Sequence, residues 1–132
     1  MHPELHPNQL KRIYRYPELK ASGIYQMLNM QNGKCYVGEA EWAFYRVDTH
    51  MHLLNRGKHS SRLMQADWVE YGADAFTFVL LRSVVNRTAR LYWEAHYIAL
   101  GGFDLYNNQQ EIRRCGFMVR RAEYNTYVQP YL

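Results

Sequence analysis

Two tyrosines, Tyr25 and Tyr36, stand on either side of the dipeptide Asn32-Gly33 in the stretch GIYQMLNMQNGKCYVG, and Lys34 follows that dipeptide directly. Downstream, Arg46 and His50 are four residues apart, which makes them neighbours on one face of a helix. Glu94 comes three residues after Leu91 and four before Ile98, on the inward side of a mostly apolar helical pattern. Phenols and imidazoles handle protons, a guanidinium holds anions, and a carboxylate accepts protons or binds metals. An inward carboxylate needs a partner, because burying an unpaired charge is costly. That partner is either an arginine, which makes Glu94 a structural residue, or a divalent cation, which makes it part of a site.

The elements that must position these groups follow from turn signals and apolar period. Asn-Gly between two short β-like runs predicts a hairpin with a two-residue type I′ turn. The pairs are then Gln31 with Lys34, Asn29 with Tyr36, and Leu28 with Val37. Side chains alternate along a strand, so Tyr25, Met27, Asn29, Lys34 and Tyr36 share one face. Ile24, Gln26, Leu28, Cys35 and Val37 share the other. The second face reads as core, and the first as a half-solvated sheet face or a site.

After Gly38 the period turns helical. Ala40, Phe44, Val47, Met51 and Leu54 form one stripe, and Gly57 marks the stop. Arg46 and His50 lie at the margin of that stripe, as a solvated helix edge or as groups reaching into a cleft. HSSRLMQADWVEYG reads as a second helix, with a serine N-cap and Gly72 as C-cap. FTFVLLRSV has the content of a buried strand. NRTARLYWEAHYIALGG is a third helix, and FDLYNNQQ is a loop or short strand. The fold class is a small α/β (α+β) domain with few strands.

A chain of 132 residues is the usual length of one domain. Hydrophobic content of 48% with 21% charged residues fits a globular protein and excludes a disordered one. No run approaches the roughly 20 apolar residues of a membrane span, and the N-terminus lacks a signal-peptide core. Two cysteines, Cys35 and Cys115, make no metal pattern and no disulfide framework, which points to reduced thiols and a cytoplasmic setting. The formal charge of +4 and twelve tyrosines agree with a polyanionic partner without requiring one. In the tail, Arg113, Arg114, Arg120 and Arg121 interleave with aromatics. That pattern suits phosphate contact and stacking, or aromatics on the core with arginines in solvent. Prolines 3, 7 and 17 break residues 1–21, where QLKRIYRY could form a short basic helix.

Together these residues resemble the GIY-YIG nuclease family. Gly23-Ile24-Tyr25 and Tyr36-Val37-Gly38 are similar to the two halves of its motif, with valine for the central isoleucine. Arg46 and His50 fall where the family has its catalytic arginine and following histidine. Residues 57–61, GKHSS, are similar to a segment of its phage homing endonucleases. Glu94 matches the metal-binding glutamate, and Tyr106-Asn107 the closing Tyr-Asn element. The resemblance runs from about Ser22 to Asn108, which divides the chain into an extension (1–21), a nuclease domain (22–108) and a basic, aromatic extension (109–132). Val47 departs from a frequent tryptophan. Glu39 departs from a small or amide residue and brings negative charge near a phosphate path, lowering the expected DNA affinity.

The resemblance implies a three-stranded antiparallel sheet with flanking helices, and hydrolysis of DNA phosphodiesters with one Mg²⁺ or Mn²⁺ ion on Glu94. Tyr25 is then the base that takes the water's proton. A free tyrosine titrates near ~10, so that role needs a shift of ~3 units, about 4 kcal/mol, supplied by Lys34, Arg46 and the cation. Tyr36 orients the water or bonds the phosphate, and Arg46 holds two phosphate oxygens. His50 holds the scissile phosphate or protonates the leaving oxygen. His59 and Ser61 grip the backbone, and Asn107 fixes Glu94 or the hairpin. Family homing enzymes carry a long DNA-binding region that does not fit in this chain. The expected source of specificity is therefore the flanks, a homodimer or a separate targeting protein. Rival expectations are a non-catalytic DNA- or protein-binding module of the same fold, and a restriction or repair nuclease subunit. If phage-encoded, the protein acts in the host-cell cytoplasm.

Overall fold

The computed structural model describes residues 16–101, 104–108 and 110–112. Three strands, β1 (Gly23–Asn29), β2 (Cys35–Ala40) and β3 (Phe76–Ser83), form one sheet in the order β2-β1-β3. Both pairings are antiparallel. Helices α1 (Ala43–Asn55), α2 (Arg62–Tyr71) and α3 (Arg87–Gly101) complete the layers. The expected three-stranded sheet with flanking helices is present.

The hairpin differs from the expectation in one respect. β1 pairs with β2 in the register Tyr25↔Gly38, Met27↔Tyr36 and Leu28↔Cys35, two residues away from that of a two-residue turn. The connection is a longer loop, closed by Asn29 N–H to the Lys34 carbonyl at 2.9 Å and Gly33 N–H to the Asn29 carbonyl at 2.8 Å. Asn29 Oδ1 also accepts the Gln31 N–H, and Asn32 Oδ1 accepts the Lys34 N–H. These two side chains take up main-chain donors that a tight turn would spend across the strands. Gly33 supplies the positive φ of 77° that the loop needs. A shift of two residues preserves the face of every side chain, because the strand period is two. Tyr25 and Tyr36 still share a face, opposite Ile24, Cys35 and Val37.

That face is not half-solvated. α1 and α2 cover it, burying Met27, Phe76 and Phe78 with Val47, Met51 and Met64. α3 covers the other, where Ile24 and Val37 meet Ala95 and Ile98. The sheet is thus the middle of three layers. α1 buries the predicted stripe of Phe44, Val47, Met51 and Leu54, while Ala40 belongs to β2. α2 starts at Ser61, whose side chain accepts the Met64 N–H, and stops at Gly72 with φ of 83°. β3 is an edge strand, buried at Phe76 and Phe78 and increasingly exposed beyond, rather than buried throughout. Its pairing with β1 shifts register between Ile24 and Tyr25, as at a β-bulge. Of the N-terminal extension, Leu19 is fully buried and the Tyr16 hydroxyl bonds Thr77 Oγ1, so residues 16–21 dock on the core. The proposed basic helix at QLKRIYRY lies almost wholly outside the described residues, as do Arg113, Arg114, Arg120, Arg121 and Cys115.

A buried polar knot ties the hairpin to α2 and to the segment after α3. Asp67 Oδ2 accepts from the Tyr106 hydroxyl at 2.6 Å and from Asn32 Nδ2 at 2.9 Å, and Asn29 Nδ2 donates to the Tyr106 oxygen. Removing the shared acceptor leaves buried donors unmet, which costs about 1–3 kcal/mol. Asp67→Ala is therefore expected to lower the unfolding free energy by about that amount in urea titration. A value near zero would contradict a fully engaged knot.

Candidate active site

A cleft of about 420 Å³ opens where the ends of β1 and β2 meet α1 and α3, lined by Tyr25, Tyr36, Gly38, Glu39, Arg46, Arg87, Leu91, Glu94 and Glu111. It brings together four of the residues singled out in the sequence: both tyrosines, Arg46 and Glu94. Gly38 is what lets Tyr25 lie there. A Cβ at Gly38 would come 2.2 Å from the Tyr25 hydroxyl oxygen, so the motif's closing glycine is the floor on which the phenol rests.

Tyr25 is only 1% exposed and Tyr36 only 8%. His50, expected at the margin of α1, is also buried, at 4%. Its Nε2 lies 2.7 Å from the Tyr25 hydroxyl and its Nδ1 lies 2.7 Å from Nε2 of His59. His59 Nδ1 in turn accepts the main-chain N–H of Ser61 at 2.9 Å. That N–H can only donate, and this fixes the direction of the whole chain. His59 Nδ1 is unprotonated, so neutral His59 carries its proton on Nε2 and donates to His50 Nδ1. Neutral His50 then carries its proton on Nε2 and donates to Tyr25. The Tyr25 oxygen accepts, which leaves its own proton directed elsewhere.

Electrostatics agree with that assignment. Burial pushes His50 from the ordinary 6.5 down to about 3, and the neighbouring His59 and Arg46 add to the shift. Burial likewise lowers His59, outweighing the opposite pull of Glu111. Both imidazoles are neutral, with both ring nitrogens of each engaged. His50 is thus committed to Tyr25 and His59 rather than to a leaving oxygen. His59 and Ser61 are buried structural groups: Ser61 caps α2 and donates to the Tyr106 carbonyl at 2.7 Å.

The protein surroundings of the tyrosines work against their ionisation. Burial raises the Tyr25 pKa well above the phenol range, Tyr36 adds to this, and the adjacent Arg46 offsets only part. Tyr36 is raised too, by burial first and then by Glu111. Desolvation of an anion outweighs one nearby cation here. Lys34, expected to favour the anion, belongs to the hairpin loop and is not among the residues lining the cleft.

Glu94 projects from α3, and its Oε2 accepts the Glu39 main-chain N–H at 3.0 Å. The Glu39 side chain pairs with buried Arg90 at 3.0 Å. Its charge is thereby paired with a cation. Asn107 fixes the hairpin: Oδ1 accepts the Val37 N–H at 3.0 Å and Nδ2 donates to the Val37 carbonyl at 2.8 Å. Arg87 and Glu111 also face the cleft. Arg87 opens α3, on the same helix side as Leu91 and Glu94. The sequence held a signal for Glu111: Asn108 with a glutamate three residues on is a reciprocal cap. Among the described residues no three His, Cys, Asp or Glu side chains gather as a metal cage. Of the cleft's carboxylates, Glu94 is the one the resemblance assigns to a metal, and a carboxylate on an open cleft suits a hard cation that keeps several waters.

This sheet, with paired tyrosines facing a helix-borne arginine and glutamate, is consistent with the resemblance to GIY-YIG nucleases read in the sequence. The chain is similar to the solved catalytic domain of the homing endonuclease I-TevI, with a TM-score of 0.60 and 29% sequence identity, over 65% of this chain and 96% of that one. A mutant form of the same domain, described as that of an intron endonuclease, matches with the same TM-score and identity over 91% of its length. No family model and no curated protein matches the chain. Among the described residues no helix is long and apolar enough to cross a membrane.

The neutral His50 predicts a pH dependence of stability. Its folded pKa lies below its unfolded value, so the unfolded chain takes up a proton first as pH falls. The stabilisation is present above about 6.5 and is lost as pH drops toward about 3. In urea titrations across that window, His50→Gln is expected to lose stability with falling pH less steeply than wild type. The difference is up to about 1.4 kcal/mol per pH unit for one proton. Parallel slopes would contradict a buried neutral imidazole.

Proposed function

We propose that the protein is a divalent-metal-dependent DNA endonuclease of the homing type that hydrolyses phosphodiester bonds at the Tyr25–Glu94 cleft. The observation that carries this reading is the convergence of both tyrosines, Arg46 and Glu94 on one cleft, in a chain similar to a homing endonuclease catalytic domain.

Each side chain has a task suited to its chemistry. The Arg46 guanidinium offers a planar fork to two phosphate oxygens and neutralises charge as it builds. Arg87, at the start of α3, adds a second cation for the DNA backbone. Tyr25, oriented by the histidine pair, directs its hydroxyl proton at the phosphate or the attacking water. Glu94 would hold one Mg²⁺ or Mn²⁺ ion, oriented by the Glu39 N–H as outer partners orient metal-binding carboxylates. Bound there, the ion supplies Lewis-acid stabilisation of the phosphate oxygens. One such site cuts one strand per event, so nicked circles precede linear product unless two subunits act together.

Supercoiled plasmid incubated with purified protein and Mg²⁺ is expected to yield nicked circles that EDTA prevents. Glu94→Ala should abolish the cutting with its fold intact, and Arg46→Ala should lower the rate by about 10²-fold or more. Full activity of Glu94→Ala would remove the metal assignment. A wild-type protein that binds duplex DNA with Mg²⁺ and never cuts it would replace the enzyme by a binding module.

A further inference from the structure

A phosphate in the cleft carries bases on either side of it, and the chain presents exposed rings where those bases would lie. In sequence Trp42 falls between two residues that line the cleft, Glu39 on β2 and Arg46 on α1. It is 42% exposed, and Tyr45 is 68% exposed. Rings of this size usually serve a core or an interface. A single exposed aromatic needs no explanation, whereas a contiguous pair marks a surface that meets something. These two are contiguous: their centroids are 6.4 Å apart, with the planes inclined by 42°.

The pair is set at a fixed distance from the cleft. Trp42 is the N-cap of α1, and its carbonyl accepts the Arg46 N–H at 3.3 Å, one helical turn on. A turn rises about 5.4 Å, and successive nucleotides of a strand are about 3.4 Å apart along the duplex. A phosphate held by Arg46 therefore brings the one or two bases beside it level with the rings. Tyr45 stands edge-on to Phe44 with centroids 6.0 Å apart, and the Lys20 ammonium lies 5.4 Å from that Phe44 ring. The series thus runs from one cation, Lys20, through three rings to another, Arg46. Cations for the backbone with rings for the bases are the composition of a surface that takes unstacked nucleic acid. Glu41, exposed beside Trp42, disfavours a phosphate over the rings and leaves bases as the part they meet.

We propose that Trp42 and Tyr45 form a stacking platform for unpaired bases beside the phosphate held at Arg46; this rests on the nuclease reading above and narrows its substrate. In an intact duplex a base is already stacked on both faces. Reaching the rings means leaving that stack, which costs least for a base that is mismatched or already single-stranded. The platform therefore favours DNA with an unpaired nucleotide next to the cut. It does so with little regard to base identity, because every base has a π-face.

The test compares two labelled DNAs of one sequence, fully paired or with one unpaired nucleotide at the centre. Binding to each is followed by fluorescence anisotropy in EDTA over a range of salt, together with the melting temperature of the protein. Wild type is expected to bind the DNA with the unpaired nucleotide more tightly. The double variant Trp42→Ala, Tyr45→Ala should lose about 10-fold or more on that DNA, the scale of one base–aromatic stack, with little change on the paired one. Its salt slope and melting temperature should match wild type, since stacking neutralises no phosphate, and Trp42→Phe should keep most of the affinity. Wild-type affinity in the double variant would overturn the proposal. So would an equal loss on both DNAs, a shallower salt slope, or a lowered melting temperature that Trp42→Phe shares. A wild-type dimer that the double variant breaks, with DNA binding untouched, would give the rings to a second copy instead. The nuclease reading fails separately: a wild type that shows this binding preference and never cuts with Mg²⁺ removes that reading and leaves the platform standing.

Discussion

The hydroxyl of Tyr25 is held from behind by an imidazole proton, and everything at the cleft depends on that bond. It reaches back through two neutral histidines to a main-chain N–H at the start of α2, the one donor in the series whose direction cannot reverse. The phenol has a fixed orientation without carrying charge. The same burial that makes the bond strong makes the phenolate expensive.

That bond shapes the rest of the fold. The sheet must be covered on the tyrosine face for the histidine pair to lie out of water, and α1 and α2 provide the cover. α3, on the opposite face, wraps Arg90 and Glu94 around the end of β2, where Glu39 meets both: its side chain on Arg90 and its N–H on Glu94. The glycine at position 38 is a point of close approach, where a Cβ would meet the Tyr25 hydroxyl.

Much of this was legible in the sequence, for identifiable reasons. The apolar period of α1, the serine cap and glycine stop of α2 and the branched content of β3 are local signals. Tyr25 and Tyr36 were placed on a common face even though the turn was assigned the wrong length, since only an odd slip would have parted them. The turn itself was misjudged because Asn29 and Asn32 spend their side chains on loop N–H groups. Nothing in the period of a strand says that both its faces are covered, so the burial of Tyr25 and His50, and with it the rise in the phenol's pKa, was out of reach. Lys34 looked like a partner by face alone, whereas the loop carries it away from the cleft. Glu39 was read by charge without its neutralising Arg90, a partner 51 residues on. Glu111 escaped notice because its cap signal lies beyond the last family motif.

The most direct test of the account is the protonation state of the two buried histidines, read from long-range proton–nitrogen NMR couplings of the imidazole rings at neutral pH. The account predicts that His50 and His59 are both neutral and both protonated on Nε2. An imidazolium at either position, or a proton on Nδ1 of either ring, would contradict it.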